Sequence, residues 1–166
     1  MMLRNFTLTD ANEIIKWIKN EREFRLWSAD RYDKYPITSD DINNNYIECM
    51  KNKNFYPLTL IDDNNIIGHL ILRNPHDDLT EFRLGFIIIN PIFRKKGYGK
   101  KLIQEAIDFA KKEYGAKNFN LGVFIDNDSA IKCYKSVGFE VIKIDKNAYK
   151  FQNESWDCAE MVYKGH

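Results

Sequence analysis

Asn127 and Tyr134 stand seven residues apart in LGVFIDNDSAIKCYKSVGF (121–139), where Ala130, Ile131, Tyr134 and Val137 keep one helical face. Seven residues are two helical turns, roughly 10 Å along one side of the helix. An Asn amide at one end can hold a ligand's amide while a phenol at the other end reaches the reacting atom. A phenol, with a pKa near 10, is a poor base at neutral pH but can protonate a departing thiolate. Taken singly, Asn127 reads more simply as a helix cap and Tyr134 as a core side chain. Only a second constellation gives the pair chemical meaning.

That constellation is NPIFRKKGYGKKLIQEAIDFAKK (90–112), which sets Gly97 and Gly99 among Arg94, Lys95, Lys96, Lys100 and Lys101 at a strand-to-helix junction. The first backbone N–H groups of a helix have no partners and carry about half a positive charge. A diphosphate satisfies both, provided the backbone can approach closely, which favours glycine. The bland alternative is a turn followed by a solvated basic helix face. The spacing matches neither GxxxxGK[ST] nor GxGxxG, which would need glycine where Leu102 stands. What favours the cradle is its context, directly after a buried strand and at the start of a long amphipathic helix.

The elements that must position these residues follow from pattern. LRNFTL (3–8) alternates as a strand, and Thr9-Asp10 offers an N-cap to ANEIIKWIKN, whose Ile14, Ile15, Trp17 and Ile18 keep a helical stripe. EREFRLWSADRYDKYP (21–36) is aromatic and charged with no clear period. Thr38-Ser39-Asp40-Asp41 caps a helix to about Lys51. FYPLTLID (55–62) and IIGHLILR (66–73) form a hairpin. In TEFRLGFIIIN (80–90), alternation assigns Phe82, Leu84, Phe86 and Ile88 to one face and Ile87 and Ile89 to the other. A helix then runs to Gly115, followed by the strand NFNLGVF, a short helix closed by Gly138, and the strands FEVIKI and WDCAEMVY. The expected fold is mixed α/β (α+β), with a largely antiparallel central sheet flanked by helices, in a single domain over 1–166.

Composition narrows the function classes. With 25 Lys and Arg against 24 Asp and Glu the net charge is +1, so no bulk field argues for nucleic acid or membrane. No apolar run approaches the roughly 18 residues of a membrane span, and the N-terminus reads as neither signal nor transit peptide. The three cysteines and three histidines lack metal-ligand spacing, so no metal is expected, and the cysteines suit a reducing cytoplasm.

The stretches IIINPIFRKKGYGKKLI and NDSAIKCYKSVGF, in that order and about 30 residues apart, together resemble the GNAT N-acetyltransferase superfamily. The resemblance runs from about Thr80 to Ile144 and extends loosely to the N-terminus. It implies transfer of an acetyl group from acetyl-CoA to a primary amine, carried by a small molecule or a peptide, or else a catalytically silent acyl-CoA-binding module. It implies that Ile87, Ile88 and Ile89 line a splayed strand beside the pantetheine arm. Arg94, Lys95, Lys96, Gly97, Tyr98 and Gly99, with Lys100, would wrap the pyrophosphate. Asn127 would lie beside the pantetheine, and Tyr134 would be the acid that protonates the CoA sulfur. Cys133, about 100° round the helix from Tyr134, is expected to face elsewhere and not to act as a nucleophile. Many members carry an acidic base five positions before the Asn, where this chain has Gly122. Glu81 is the first substitute, then Asp77 and Asp78 or a water chain. Phe24, Trp27, Tyr32 and Tyr35 fall in the segment that would wall the acceptor site, although core packing or a homodimer contact would explain them as well.

Overall fold

The computed structural model describes residues 1–76 and 78–165. Strands β1 (Met2–Asn5), β2 (Phe55–Asp62), β3 (Asn65–Arg73), β4 (Glu81–Ile89), β5 (Asn118–Phe124), β6 (Phe139–Phe151) and β7 (Glu154–Tyr163) form one sheet in the order β1-β2-β3-β4-β5-β7-β6. Its neighbours pair antiparallel except β4 with β5, which run parallel. The last two strands are longer than the alternating segments FEVIKI and WDCAEMVY suggest.

Helices α4 (Tyr98–Tyr114) and α5 (Asp128–Val137) cover one face of the sheet, where Leu102, Ile103, Ala106 and Val137 meet Phe82, Leu84 and Leu121. Helices α1 (Asp10–Ile14), α2 (Glu21–Ser28) and α3 (Ser39–Met50) cover the other, where Ile14, Phe24, Ile42 and Tyr46 meet Ile71 and Ile88. Gly115 closes α4 in the left-handed region at φ 69°, which suits a residue without a Cβ. Thr38 and Asp41 close a reciprocal capping box on α3, as the sequence indicates.

Two N-terminal expectations change. Thr9 makes no side-chain cap, and α1 gives way to a 3-10 turn over Ile15–Trp17 before Ile18 turns extended. The anchor at this point is Asp10, only 1% exposed. Its carboxylate accepts from both terminal nitrogens of Arg4 at 2.8 and 2.9 Å, from Thr7 N at 3.0 Å and from Thr59 Oγ1 at 2.8 Å. The segment 21–36, aperiodic in sequence, contains α2. Asn20 Oδ1 accepts from Glu23 N at 2.9 Å, while Glu23 Oε2 accepts from Lys19 N at 2.8 Å.

The decisive local feature lies in β4. Gly85 pairs with Ile71 and Ile88 with His69, so Phe86 and Ile87 together oppose Leu70 alone. This is a β-bulge, and Phe86 adopts φ 48° to make it. Because side chains alternate with period two, the extra residue exchanges the faces beyond it. Phe82 and Leu84 therefore share the α4–α5 side with Ile87 and Ile89, while Phe86 and Ile88 pack with α1–α3. This corrects the face assignment from simple alternation. Pairing of β4 with β5 runs only from Glu81↔Asn118 to Leu84↔Leu121, and beyond Leu84 the two strands part.

The Asp10 cluster makes the first test. Burial alone would push the Asp10 carboxyl up, but Arg4, Thr7 and Thr59 outweigh it and hold the group below the usual carboxylate range. A carboxyl depressed in the folded state contributes stability above its unfolded pKa of about 3.9, and this is lost as pH falls through the folded value. We expect Asp10→Ala to cost about 3 kcal/mol in urea unfolding at pH 7. The gap between variant and parent should narrow below about pH 3.9; a gap independent of pH would exclude this account.

Candidate active site

The parting of β4 and β5 opens a cleft of about 950 Å³ that runs from the start of α4, between the strands, to the face under α2. At one end the cleft reaches the N-terminus of α4. Gly97 precedes the helix at φ 84° with nothing within 4 Å of where a Cβ would stand, and no side chain caps the helix. The first helical hydrogen bond runs from Lys101 N to Gly97 O at 3.1 Å, which leaves the N–H groups of the opening turn for an outside acceptor. Arg94, Lys95, Gly97, Gly99 and Lys100 line this end. Arg94 Nε also donates to Ile89 O at 3.0 Å, which ties the cationic loop to the end of β4.

Lys96 and Tyr98 are not brought into the cleft lining. Lys96 Nζ donates to Ile92 O at 3.1 Å and lies 5.8 Å from the Phe93 ring centroid, and Tyr98 meets the same ring edge-on at 5.7 Å. The two glycines also differ in purpose. Gly97 serves the left-handed turn at the cradle, whereas a Cβ on Gly99 would stand 3.1 Å from Cys133 Sγ. The bare backbone at Gly99 thus allows α4 and α5 to pack closely.

Ile87, Ile88 and Ile89 line the middle of the cleft. Phe86 and Ile87 have no register partner on β3 or β5, so this strand edge retains backbone donors and acceptors for a ligand. Across the gap lie Asn127, Ala130, Cys133 and Tyr134. Asn127 holds the N-cap position of α5 without capping it through its side chain, contrary to the sequence reading, and its Oδ1 accepts only a long 3.4 Å bond from Ser129 Oγ. Its amide is therefore not consumed by the helix.

Tyr134 is 7% exposed, meets Phe139 edge-on at 6.4 Å, and lines the cleft. Burial, then the neighbouring Cys133, pushes its phenol well above the ordinary value, so it stays protonated. Cys133 does not face away as expected; it also lines the cleft. Burial raises its thiol, however, against a smaller opposing effect of Lys100. A thiol held in the protonated form is a weak nucleophile.

Neither Glu81 nor Asp78, two of the carboxylates expected to act as base, is brought to the cleft. Glu81 starts β4 five residues before the bulge, roughly 16 Å along the strand, and its Oε1 accepts from Asn120 Nδ2 at 3.0 Å. Asp78 Oδ1 accepts from Thr80 N at 2.9 Å and Thr80 Oγ1 at 2.7 Å, and these bonds hold its carboxyl below the usual range. Asp77 lies outside the described residues. Of the four aromatics proposed for the acceptor wall, only Trp27 lines the cleft; Phe24 and Tyr32 are buried with the α1–α3 core, and Tyr35 packs against it. Sequence reasoning missed Trp17, Glu23, Arg73, Arg83 and Phe124, all of which line the cleft. The signal available for Glu23 was the spacing Asn20-x-x-Glu23, a helix start.

A splayed strand pair with an uncapped, cationic helix N-terminus at its open end is the site geometry of this α/β protein. The chain belongs to the acetyltransferase (GNAT) family, whose model matches residues 14–139. Over 85 residues it is 35% identical to an uncharacterized protein of Mycobacterium leprae, covering 51% of this chain and 23% of that protein. A UPF0039 protein of Schizosaccharomyces pombe is 34% identical over 85 residues, 44% of this chain and 55% of its own length. The chain thus spans only part of the length of either relative. Among solved structures, spermidine N-acetyltransferase of Vibrio cholerae in complex with CoA and spermine superposes with TM-score 0.81 at 20% identity, over 97% of this chain and 93% of that one. The ribosomal-protein-S18-alanine N-acetyltransferase of Escherichia coli gives 0.70 at 20% identity, over 98% and 92%. At these identities the likeness establishes the fold. Among the described residues no helix is long and apolar enough to cross a membrane, and no group of His, Cys, Asp and Glu is placed to hold a metal.

The Gly99–Cys133 contact supplies a test of how the two site helices are spaced. We expect Gly99→Ala to destabilise by about 1–2 kcal/mol through overpacking. Adding Cys133→Ala should recover about 1 kcal/mol of that loss. Strict additivity in thermal unfolding would show that the helices are not held at this distance.

Proposed function

We propose that this protein is an acetyl-CoA-dependent N-acetyltransferase that acts on a primary amine by direct transfer. The observation that carries the reading is the meeting, in one cleft, of an uncapped cationic helix start, an unpaired strand edge and a buried neutral phenol. Membership of the GNAT family supports it.

The residues suit acetyl-CoA in three stretches. The opening backbone of α4, with Arg94, Lys95 and Lys100, would hold the pyrophosphate; Lys96 and Tyr98 would contribute through backbone alone. Ile87, Ile88 and Ile89 on one side and Asn127 on the other would hold the pantetheine arm. Tyr134 would reach the sulfur. Acetyl-CoA supplies the activated acyl group as a thioester.

The chain's part is orientation, polarisation and one proton. Free backbone N–H groups at the Phe86–Ile87 bulge would polarise the acyl carbonyl. The amine nitrogen forms its bond to the acyl carbon, the carbon–sulfur bond breaks, and the sulfur takes the Tyr134 proton. The nitrogen loses a proton to water and solvent restores the phenol, so the products are an N-acetyl amine and free thiol. Water, rather than Glu81 or Asp78, takes the amine proton, because neither carboxylate reaches the cleft.

Tyr134→Phe should leave acetyl-CoA affinity unchanged and lower kcat by about 100-fold or more in a thiol-release assay over a panel of amines. Because burial raises the phenol, the parent enzyme should show no alkaline loss of kcat from this group up to about pH 10. Equal turnover by the variant would remove Tyr134 as the acid and favour a silent acyl-CoA-binding module. Gly97→Glu adds bulk at a left-handed position and a like charge beside the cradle, so acetyl-CoA binding should vanish in calorimetry. Normal binding would refute the cradle.

A further inference from the structure

The far end of the same cleft has a charge pattern that the acetyl-CoA reading leaves unused. Its lining there includes Arg31, Arg73 and Arg83 against a single carboxylate, Glu23. That carboxylate is engaged with the backbone, since Glu23 Oε2 accepts from Lys19 N.

The arginines are not equivalent. Arg83 is neutralised: its guanidinium pairs with Glu160 and donates to Asn120 Oδ1 at 2.7 Å. Gly122 makes room for this pair, because a Cβ there would stand 2.8 Å from Arg83 Nη2. Arg73 lies directly opposite Arg83 in the β3–β4 register, on the same face, where like charges oppose folding. It is half-buried, and burial, then the charges of Arg31 and Arg83, lowers its affinity for its proton. Among the described residues neither Arg73 nor Arg31 has a carboxylate within ion-pair distance. A half-buried guanidinium facing like charge without a counter-ion leaves a place for one. Trp17, Trp27 and Phe124 line the same region and offer apolar surface to the rest of a ligand.

We infer that this end of the cleft binds the acceptor through an oxyanion on Arg31 and Arg73, so that the acceptor is a small amine carrying a carboxylate or phosphate group and an apolar body. The inference rests on the reading of the cleft as an N-acetyltransferase site. Arg83 stands two residues, about 7 Å of strand, before the point where β4 leaves β5. An anionic group held there leaves the rest of a small acceptor to run along β4 toward the bulge. A polyamine would meet Arg31 and Arg73 without counter-ions, while the nearby carboxylates of Glu23 and Glu160 are already engaged. On this inference spermidine, the acceptor in the name of the Vibrio cholerae structural relatives, is a poor acceptor here.

Calorimetric titration separates the two readings, because acceptor binding is measured with and without CoA. The probes are phenylalanine, phenylalaninamide, the aminophosphonate analogue of phenylalanine, and spermidine. We expect phenylalanine or its phosphonate to bind at least tenfold tighter than the amide and spermidine, the better of the two identifying the preferred oxyanion. Arg31→Gln, in an exposed loop, and Arg73→Gln should each erase that preference while the Kd for CoA stays unchanged. Thiol release should show the loss in KM rather than kcat. An amide or spermidine that binds as tightly, no binding by either anionic probe at millimolar concentration, or an undiminished preference in both variants would overturn the inference. Failure to bind CoA would instead overturn the acetyltransferase reading, since the anion preference is read separately without CoA.

Discussion

One surplus residue in β4 organises the cleft. Opposite Leu70 the strand spends two residues, Phe86 and Ile87, just past Leu84, the last residue of β4 that pairs with β5. A sheet that stayed paired would bury every backbone group between the strands and leave no room for a ligand. The bulge lies just past the last β4–β5 pair, where the closed ladder gives way to a wedge. It also sends Phe86 to the α1–α3 side and Ile87 to the α4–α5 side, so both helical layers grip the strand where its hydrogen bonds are missing. The left-handed backbone of Phe86, unfavourable for an aromatic residue, persists because packing on both faces fixes it.

The wedge places the two ends of the cleft in different electrostatic settings. At the α4 end the positive field comes from backbone N–H groups and from flexible, exposed cations, which suits a highly charged group that remains partly in water. At the other end the guanidinium of Arg73 is half-buried and fixed to a strand, with Arg83 in register beside it. Fixed, partly desolvated charge discriminates between ligands more sharply than mobile surface charge, because its interactions are screened less. On the proposed reading, the α4 end would hold an anion generically and the other end would select among acceptors.

How much of this was legible in sequence depends on the range of the interaction. The strand-to-helix turn at Gly97, the helix stop at Gly115 and the capping box at Thr38 are local chemistry, and the structure has each where the sequence puts it. The bulge was not legible, since TEFRLGFIIIN reads as unbroken alternation and the extra residue exists only relative to β3. For the same reason Glu81 looked adjacent to the chemistry: it lies on the right strand, but at the paired end. Helix α2 escaped because its start is set by Asn20 and Glu23 side chains and its buried side sets Arg25 and Ser28 beside Phe24, which does not read as an apolar stripe. Asn127 was misread as a cap from residue type alone, although nothing in its sequence says where the amide turns.

The thiol and the phenol on α5 show how one environment separates two roles. Both Cys133 and Tyr134 line the cleft, and burial raises both. For a nucleophile this is a handicap, because the reactive thiolate becomes scarcer as the proton is held more tightly. For a proton donor the same shift keeps the donor loaded across the working pH range, while a thiolate leaving beside it would be destabilised as an anion by the same burial and take a proton more readily. Desolvation therefore favours the phenol and disfavours the thiol, and Lys100, whose charge eases the Cys133 thiol downward, acts too weakly to reverse the order. An acyl-cysteine route would need a cation or base beside Cys133 to overcome burial. What lies against its sulfur instead is the bare backbone of Gly99.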